Sequence, residues 1–413
     1  MIVKLFKALL LAVSLLLPLL VPSIHNKLVI LLVLIWLLGR PAVWPALRHG
    51  LLLQGLVGLF ILMVAGLAYT SNMQEGLSAF DDGLILLALP LVILSAESWL
   101  AYDSIKRLLV FFLIGVVVLN LTSLFFISFD AWDAAGLQSK LITANEVVAR
   151  IHPAYTSIYI SLGIFILIDQ YFPLRAQERN KLGWTIFGLA VLSIYLLWLN
   201  SRAGILSFFL ASVFFIAYRW KGNLRLIGFA GLFLFIGVII AIPFSRYRFF
   251  NAPFMVFSSP VSTSVKDPNL YPLATRMEIM ECNMELVQWP ELIYGYGTGD
   301  HKDALWKCFD ERGYLVQKTQ HMNQHNEYFA QLHRHGLFGL GLFLFLLIVP
   351  FGYAIKFKSP LLGAFVILFA VTALFENVLS VQKGVAFFGL FCPMLYLLAK
   401  KQFALHSGDK TPI

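Results

Sequence analysis

Charged side chains are scarce in this sequence. Only 13% of its 413 residues are Asp, Glu, Lys or Arg, whereas 59% are hydrophobic, and the mean hydropathy is +0.80. A soluble domain needs more polar surface, so the composition excludes a soluble protein and predicts an integral membrane protein. The net charge of +9 comes from basic residues in short clusters between apolar runs, which argues against a nucleic-acid partner because that would need one basic face.

Cysteine is also scarce, and the three cysteines differ in their surroundings. Cys392 falls in the last apolar run, whereas Cys282 and Cys308 share a long polar loop. If that loop lies in an oxidising compartment, the two loop cysteines can form a disulfide. Since sequence does not give their separation, a disulfide and two free thiols both remain open.

Long apolar runs dominate the rest of the chain. A helix needs roughly 20 mostly apolar residues to cross a bilayer, and no signal-peptide cleavage site follows the first run, so we interpret it as a retained helix. The sequence therefore predicts an all-α polytopic membrane protein with about 12 transmembrane helices. The runs are about 7–22, 27–39, 50–70, 83–99, 105–129, 153–172, 182–199, 203–219, 224–244, 336–355, 360–379 and 384–399.

The positions of Lys and Arg predict the orientation. With a cytoplasmic N-terminus, most basic residues fall inside, and the short outside loops hold only Lys27, Lys140, Arg150, Arg202 and Lys383. We therefore expect both termini in the cytoplasm and one large external loop. The predicted divisions are 1–244 with nine membrane helices, 245–335 as the loop domain, and 336–413 with three membrane helices and a cytoplasmic tail.

Short helices are expected within the large loop. Thr275 and Glu278 fit a capping box, which predicts a helix from Thr275 to about Val287. The glycine-rich stretch 294–300 predicts turns. A second short helix is expected from about Gln324 to Gly336, where the next membrane helix begins.

Three arginines stand at or near predicted helix starts on the outer side. Arg150 lies shortly before Pro153, Arg202 follows the candidate N-cap Ser201, and Arg276 follows the predicted cap of the loop helix. Helix starts and guanidinium groups both bind anions, so their convergence would form a diphosphate site. The alternative for each arginine alone is that its side chain reaches lipid headgroups.

Four histidines lie where the loop returns to apolar sequence, at positions 321, 325, 333 and 335. An imidazole suits general-base catalysis near neutral pH. The spacing of His321 and His325 also allows a metal site, but no His-Glu-x-x-His motif is present, so we favour a base over zinc. Glu376, near the outer end of its helix, is either a functional intramembrane carboxylate or an interfacial side chain.

Three sequence elements together resemble a known family. They are His325-Asn326 followed by Gly336 and Gly339, Ser201-Arg202-Ala203-Gly204 at the start of a membrane helix, and Tyr294-Gly-Tyr-Gly-Thr-Gly ahead of the histidine. They are similar to elements of the O-antigen ligase family, within the superfamily of O-antigen ligases, O-antigen polymerases and protein O-oligosaccharyltransferases.

The resemblance implies a fold related to the GT-C membrane glycosyltransferases, in the inner membrane of a Gram-negative bacterium. The expected activity is metal-independent and needs no cofactor: transfer of a finished glycan from undecaprenyl diphosphate to a lipid A-core sugar at the periplasmic face. The family's functional residues map onto His325, Arg276 and Arg202. We further expect substrate binding by Arg150, His152, Asn326, Tyr328 and His321.

Two other functions remain open. An O-antigen polymerase would use the same donor but a lipid-linked acceptor. A flippase or transporter of lipid-linked glycans would also have about 12 helices, but it needs a polar path through the membrane. Here the polar groups gather on one side, which favours surface chemistry.

Overall fold

The computed structural model describes residues 1–19, 22–41, 43, 50–125, 152–172, 179–258 and 270–407, and this part is helical without β-strands. The long helices described up to residue 241 are α1 Ile2–Leu16, α2 Pro22–Leu38, α3 Leu51–Leu67, α4 Met73–Ser95, α5 Tyr102–Phe125, α6 Pro153–Tyr171, α7 Arg179–Leu199, α8 Arg202–Arg219 and α9 Gly222–Ala241. Short elements follow: α10 Pro243–Arg246, a π-helical turn Tyr247–Asn251, α11 Ala252–Ser258, α12 Tyr271–Glu285, α13 Glu291–Tyr294, α14 His301–Glu311 and α15 Leu315–Thr319. The chain ends with α16 Glu327–Lys356, α17 Pro360–Ala373 and α18 Gln382–Ser407.

Each of the predicted apolar runs overlaps one of the helices α1–α9 and α16–α18. Within the described residues, 7 helices are long and apolar enough to cross a membrane, and three shorter apolar helices accompany them. The chain is therefore an all-α polytopic membrane protein, as predicted. The count of 12 crossings and the division into three regions stay predictions.

Aromatic rings fill the centre of the bundle. Phe112 of α5, Tyr159 of α6 and Phe365 of α17 surround Phe387 and Phe391 of α18, and all five side chains are buried. The ring centroids of Phe112 and Phe391 are 4.4 Å apart, and those of Tyr159 and Phe387 are 4.8 Å apart. In a bilayer such contacts stabilise by close packing, since lipid chains are as apolar as the side chains themselves. The helix α18 is consequently the central one.

A break in α16 separates a short helix from the membrane helix. Asn326 is the N-cap, so the helix begins at Glu327, three residues after the predicted start at Gln324. The backbone leaves helical geometry at His335 and Gly336. The predicted end of the short helix at Gly336 is confirmed. A Cβ at position 336 would lie 2.1 Å from the carbonyl oxygen of Ile293, and φ is +63°, so only glycine fits here. The break lets the turns after α13 pack directly against α16.

The capping box predicted at Thr275 is wrong. The helix α12 begins four residues earlier, at Tyr271, with Pro272 in its first turn. The Thr275 hydroxyl donates a hydrogen bond to the Tyr271 carbonyl oxygen at 2.9 Å, so it lies inside the helix. Proline in the first turn costs no hydrogen bond and supplies a helical φ angle, which explains the earlier start.

A disulfide joins two of the loop helices. Cys282 of α12 and Cys308 of α14 are bonded, which resolves the alternative that the sequence left open. Ile279, Leu305 and Phe309 pack around the bond as a small separate core. The disulfide therefore fixes α12 and α14 relative to each other.

Candidate active site

A cavity of ≈ 500 Å³ lies where the first residues of α6 and α8, the residues just before α16 and the chain after α17 approach α12. Its titratable lining residues are His152, Arg202, Arg248, Arg276, His325 and Glu376, and apolar ones include Leu199, Leu273, Met277, Met280, Leu374 and Phe375. The structure thus brings together all three predicted catalytic residues, His325, Arg276 and Arg202. A strongly charged group of residues stands beside an apolar surface.

Arg202 and Arg248 hold one another in place. Arg202 opens α8, and its predicted N-cap, Ser201, accepts a hydrogen bond from the amide of Gly204 at 3.3 Å. The Nε atom of Arg202 donates to the carbonyl oxygen of Arg248 at 3.1 Å. In return, Nε of Arg248 donates to the carbonyl oxygen of Asn200 at 2.9 Å. These bonds fix both guanidinium groups at the cavity.

Three guanidinium groups share this partly buried space. Burial, and after it the charge of Arg276, lowers the pKa of Arg248. Like charges in a region of low dielectric repel each other and lose hydration. A bound anion would relieve both costs, so the cluster favours an anionic ligand.

Arg276 is anchored through its terminal nitrogens. Nη1 donates to the carbonyl oxygen of Phe375 at 2.6 Å, and Nη2 donates to Oε1 of Glu376 at 2.7 Å. The arginine stands in the second turn of α12, one residue after Thr275, and is therefore not at a helix start as the sequence suggested. Its guanidinium group nevertheless lines the cavity, because α12 packs against the chain that follows α17.

Glu376 connects the arginines to the histidines. Its side chain is only 9% exposed; Oε2 lies 3.6 Å from Nδ1 of His325, and Oε1 lies 3.9 Å from Nδ1 of His152. Burial alone would raise the pKa of this carboxyl group, but the contact with His325 and the charges of His152 and Arg276 outweigh it and lower the pKa to about 2. Glu376 is therefore ionised at neutral pH.

His325 occupies an unusual backbone position just before α16. Its φ is +45°, a left-handed conformation that costs energy for a residue other than glycine, and its amide donates to Oδ1 of Asn323 at 2.9 Å. The buried Nδ1 atom faces Glu376. The second ring nitrogen, Nε2, is then the atom that a ligand in the cavity can use.

The five predicted substrate-binding residues do not all line the cavity. His152 caps α6 and lines the cavity. Asn326 caps α16 through Oδ1 and donates from Nδ2 to the Leu374 carbonyl oxygen, while the Tyr328 hydroxyl donates to the Ala370 carbonyl oxygen. Asn326 and Tyr328 therefore hold α16 against α17 and the chain after it, and they are not among the residues that line the cavity. His321 lines a neighbouring cleft, and Arg150 lies outside the described residues.

Two residues of the cavity were missed or left undecided from sequence. Arg248 was only one of several loop arginines, since no cap or motif marks it. Glu376 stood as either a functional or an interfacial carboxylate, and its ion pair with Arg276 now places it in the cavity. The signal for Glu376 was its charge at the end of an apolar helix. Within the described part of the chain, no three His, Cys, Asp or Glu side chains are grouped so that they could hold a metal ion.

A known protein family matches the segment that contains most of this site. Residues 187–344 match the family model for O-antigen ligase. This match supports the resemblance to the O-antigen ligase family that the sequence elements indicated. The matched segment includes Arg202, Arg248, Arg276 and His325, whereas His152 and Glu376 lie outside it. No curated protein matches the chain. The O-antigen ligase family groups membrane enzymes of the glycosyltransferase kind, and the apolar helices agree with lipid-linked glycan substrates in a bilayer.

Proposed function

We propose that the chain is an O-antigen ligase that transfers a glycan from undecaprenyl diphosphate to a lipid A-core sugar at the periplasmic face of the inner membrane. One observation carries the proposal: three arginines and a histidine–glutamate pair line the same cavity. The arginines suit a diphosphate, and the pair suits removal of a proton from a sugar hydroxyl.

The charges of the cavity match those of the donor. Arg202, Arg248 and Arg276 carry three positive charges and Glu376 carries one negative charge, which leaves +2 when the imidazoles are neutral. A diphosphate esterified at both ends carries two negative charges at neutral pH. Guanidinium groups therefore supply the neutralisation that a metal ion gives in other phosphate sites, which supports a metal-independent reaction.

The apolar part of the lining suits the lipid chain of the donor. Met277, Met280 and Leu374 are 37%, 40% and 46% exposed beside the charged group. An isoprenoid tail that packs against such side chains stays out of contact with water. Its diphosphate then reaches the arginines at the membrane surface. The cavity thus has one region for each half of a lipid diphosphate.

His325 is the proposed general base. The acceptor hydroxyl attacks the anomeric carbon of the donor glycan, and its proton passes to Nε2 of His325. The new bond joins the acceptor oxygen to that carbon, while the bond from the carbon to the phosphate oxygen breaks. The electron pair leaves with the diphosphate, which the arginines stabilise as its negative charge rises.

Glu376 is the proposed partner of the base. Protonation at Nε2 makes the imidazole cationic, and the carboxylate 3.6 Å from Nδ1 then stabilises that cation. It also fixes the ring so that Nε2 faces the cavity. The same carboxylate holds Arg276 at 2.7 Å, so one group orients both the base and an arginine of the diphosphate site.

The proposed orientation rests on two features. In the predicted topology, most basic residues outside the large loop fall in the segments assigned to the cytoplasm. The disulfide between Cys282 and Cys308 lies in the loop region beside the cavity, and disulfides persist in oxidising compartments such as the periplasm. Both features agree with a periplasmic site and cytoplasmic termini.

The test is the choice of acceptor. Purified protein in nanodiscs is given a lipid-diphosphate glycan together with lipid A-core, and separately with a second lipid-linked glycan. We expect the mass of lipid A-core to increase by the transferred glycan. Growth of the lipid-linked glycan alone would assign the chain as an O-antigen polymerase, and movement of the donor across the bilayer without transfer would assign it as a flippase.

A further inference from the structure

A second cavity lies against the active site and differs from it in character. This polar cleft has a volume of ≈ 400 Å³. Side chains from the start of α4, from α14, from the chain before α16 and from the chain after α17 form it. They include Glu75, Lys302, Trp306, His321, Asn323 and Asn377. All of these side chains carry hydrogen-bonding groups, whereas the active-site cavity has a large apolar region.

The polar cleft and the active-site cavity share a thin wall. Asn323 lines the cleft, whereas the next two residues, Gln324 and His325, line the active-site cavity. Likewise, Asn377 lines the cleft and Glu376 lines the cavity. Neighbouring residues of two chain segments thus line different cavities, so these two segments separate the cleft from the active-site cavity.

Side-chain amides hold this wall together. Nδ2 of Asn377 donates to Oε1 of Gln324 at 3.1 Å, and the amide of Asn326 donates to Oδ1 of Asn377 at 2.9 Å. Asn323 accepts a hydrogen bond from the backbone amide of His325. A ligand that touches Asn323 or Asn377 in the cleft therefore contacts a residue that lies two positions before the base or one position after its carboxylate partner.

The lining of the polar cleft suits a hydroxyl-rich ligand. The Trp306 ring is fixed by its Nε1, which donates to the Met322 carbonyl oxygen at 2.9 Å, and it meets the His321 ring at 4.8 Å between centroids. Lys302 and Glu75 form an ion pair at 2.6 Å, so the charge of this lysine is neutralised within the cleft. Aromatic faces and paired donors and acceptors recognise sugars, and the balanced charge gives no preference for phosphate.

The cleft rests on rigid supports. Its helix α14 is tied to α12, which carries Arg276, by the disulfide. Ser380 at its edge accepts a hydrogen bond from Nη2 of the buried Arg334 at 3.0 Å. Precise placement of a ligand requires such fixed elements.

We infer that the polar cleft binds the acceptor oligosaccharide through sugars next to the one that receives the glycan, an inference that rests on the proposed ligase function. The acceptor hydroxyl must approach the anomeric carbon from the side of the base, away from the departing diphosphate. The cleft adjoins the base: among its described lining residues, none neighbours Arg202, Arg248 or Arg276 in sequence. From the cleft, the sugar chain must cross the edge of the wall so that its terminal hydroxyl reaches Nε2 of His325 on the cavity side.

The test compares two cleft variants with a matched control. His321→Ala removes an exposed imidazole, and Glu75→Gln keeps the side-chain size but removes the charge. Lys307→Ala lies on the same helix as Trp306, outside the cleft, and serves as the control. We expect each cleft variant to raise the KM for lipid A-core roughly tenfold, with kcat and the donor KM within about twofold of wild type. The Lys307→Ala variant should match wild type in all three.

A binding measurement makes the test independent of turnover. Lipid-free core oligosaccharide is titrated into the full-length protein in nanodiscs without donor, and saturation-transfer NMR reports binding. The cleft variants should weaken binding by the same factor as they raise the KM, and inorganic phosphate should not compete. Unchanged acceptor KM and binding in both variants, or displacement by phosphate, would overturn the inference. If wild-type protein transfers nothing to lipid A-core, the proposed function fails instead.

Discussion

Replacing Glu376 by glutamine tests the role of the carboxylate without changing its shape. In the wild type, this side chain lies 2.7 Å from Arg276, 3.6 Å from His325 and 3.9 Å from His152. The Glu376→Gln variant keeps a hydrogen-bond acceptor for Arg276. It removes the negative charge that stabilises the imidazolium form of His325 during transfer.

The size of the effect follows from the distance and the exposure. Two opposite unit charges about 4 Å apart interact by about 4 kcal/mol at an effective dielectric constant of about 20. The His325 side chain is 29% exposed, so solvent screens part of this interaction and leaves about 2–3 kcal/mol. That energy, lost only from the transition state, lowers kcat by roughly 30- to 160-fold. The donor KM should stay the same or fall, because the cavity gains one net positive charge.

The assay measures transfer to lipid A-core at saturating acceptor over a range of donor concentrations. Size-exclusion chromatography and circular dichroism of each variant control for folding. A kcat within threefold of wild type would refute the reasoning, because the carboxylate would then not interact with a cationic base. A large rise in donor KM with unchanged kcat would mean that Glu376 serves only to position Arg276.

Three further predictions follow from the same cavity. The pKa of Glu376 falls from 4.5 to about 2, so its contribution to stability is complete above about pH 4.5 and is lost as the pH falls towards 2. The difference in Tm between wild type and Glu376→Gln should therefore narrow over that range, and a constant difference would contradict the ion pairs. Arg248→Ala should raise the donor KM about tenfold, whereas Arg246→Ala, an exposed arginine two residues away, should not; equal effects would remove Arg248 from the diphosphate site. Activity should persist in EDTA, and loss that Mg²⁺ or Zn²⁺ restores would contradict guanidinium-based neutralisation.

The membrane helices could be predicted because the length of an apolar run largely decides where one forms. A run of apolar residues must span the hydrocarbon layer, and each predicted run overlaps a helix. The ends were less predictable, since local groups set them. Asn326 caps α16 after the predicted start, and α12 begins at Tyr271, before the predicted Thr275 cap.

The active site could be predicted only where local sequence marks it. Ser201 and the loop-to-helix transition pointed to Arg202 and His325. Arg248 lies 46 residues from Arg202 and meets it through a backbone carbonyl, which no spacing rule indicates. Glu376 reaches Arg276 across 100 residues. Such pairs depend on how helices pack, and this is decided by the whole core.

The central claim is that one imidazole opposite a group of arginines performs the transfer. Its most direct measurement compares wild type with His325→Ala, using purified protein, a lipid-diphosphate glycan and lipid A-core, and reads the mass of the acceptor. The account predicts that the variant binds the donor with wild-type affinity but produces no heavier acceptor. Transfer by His325→Ala at the wild-type rate would contradict it.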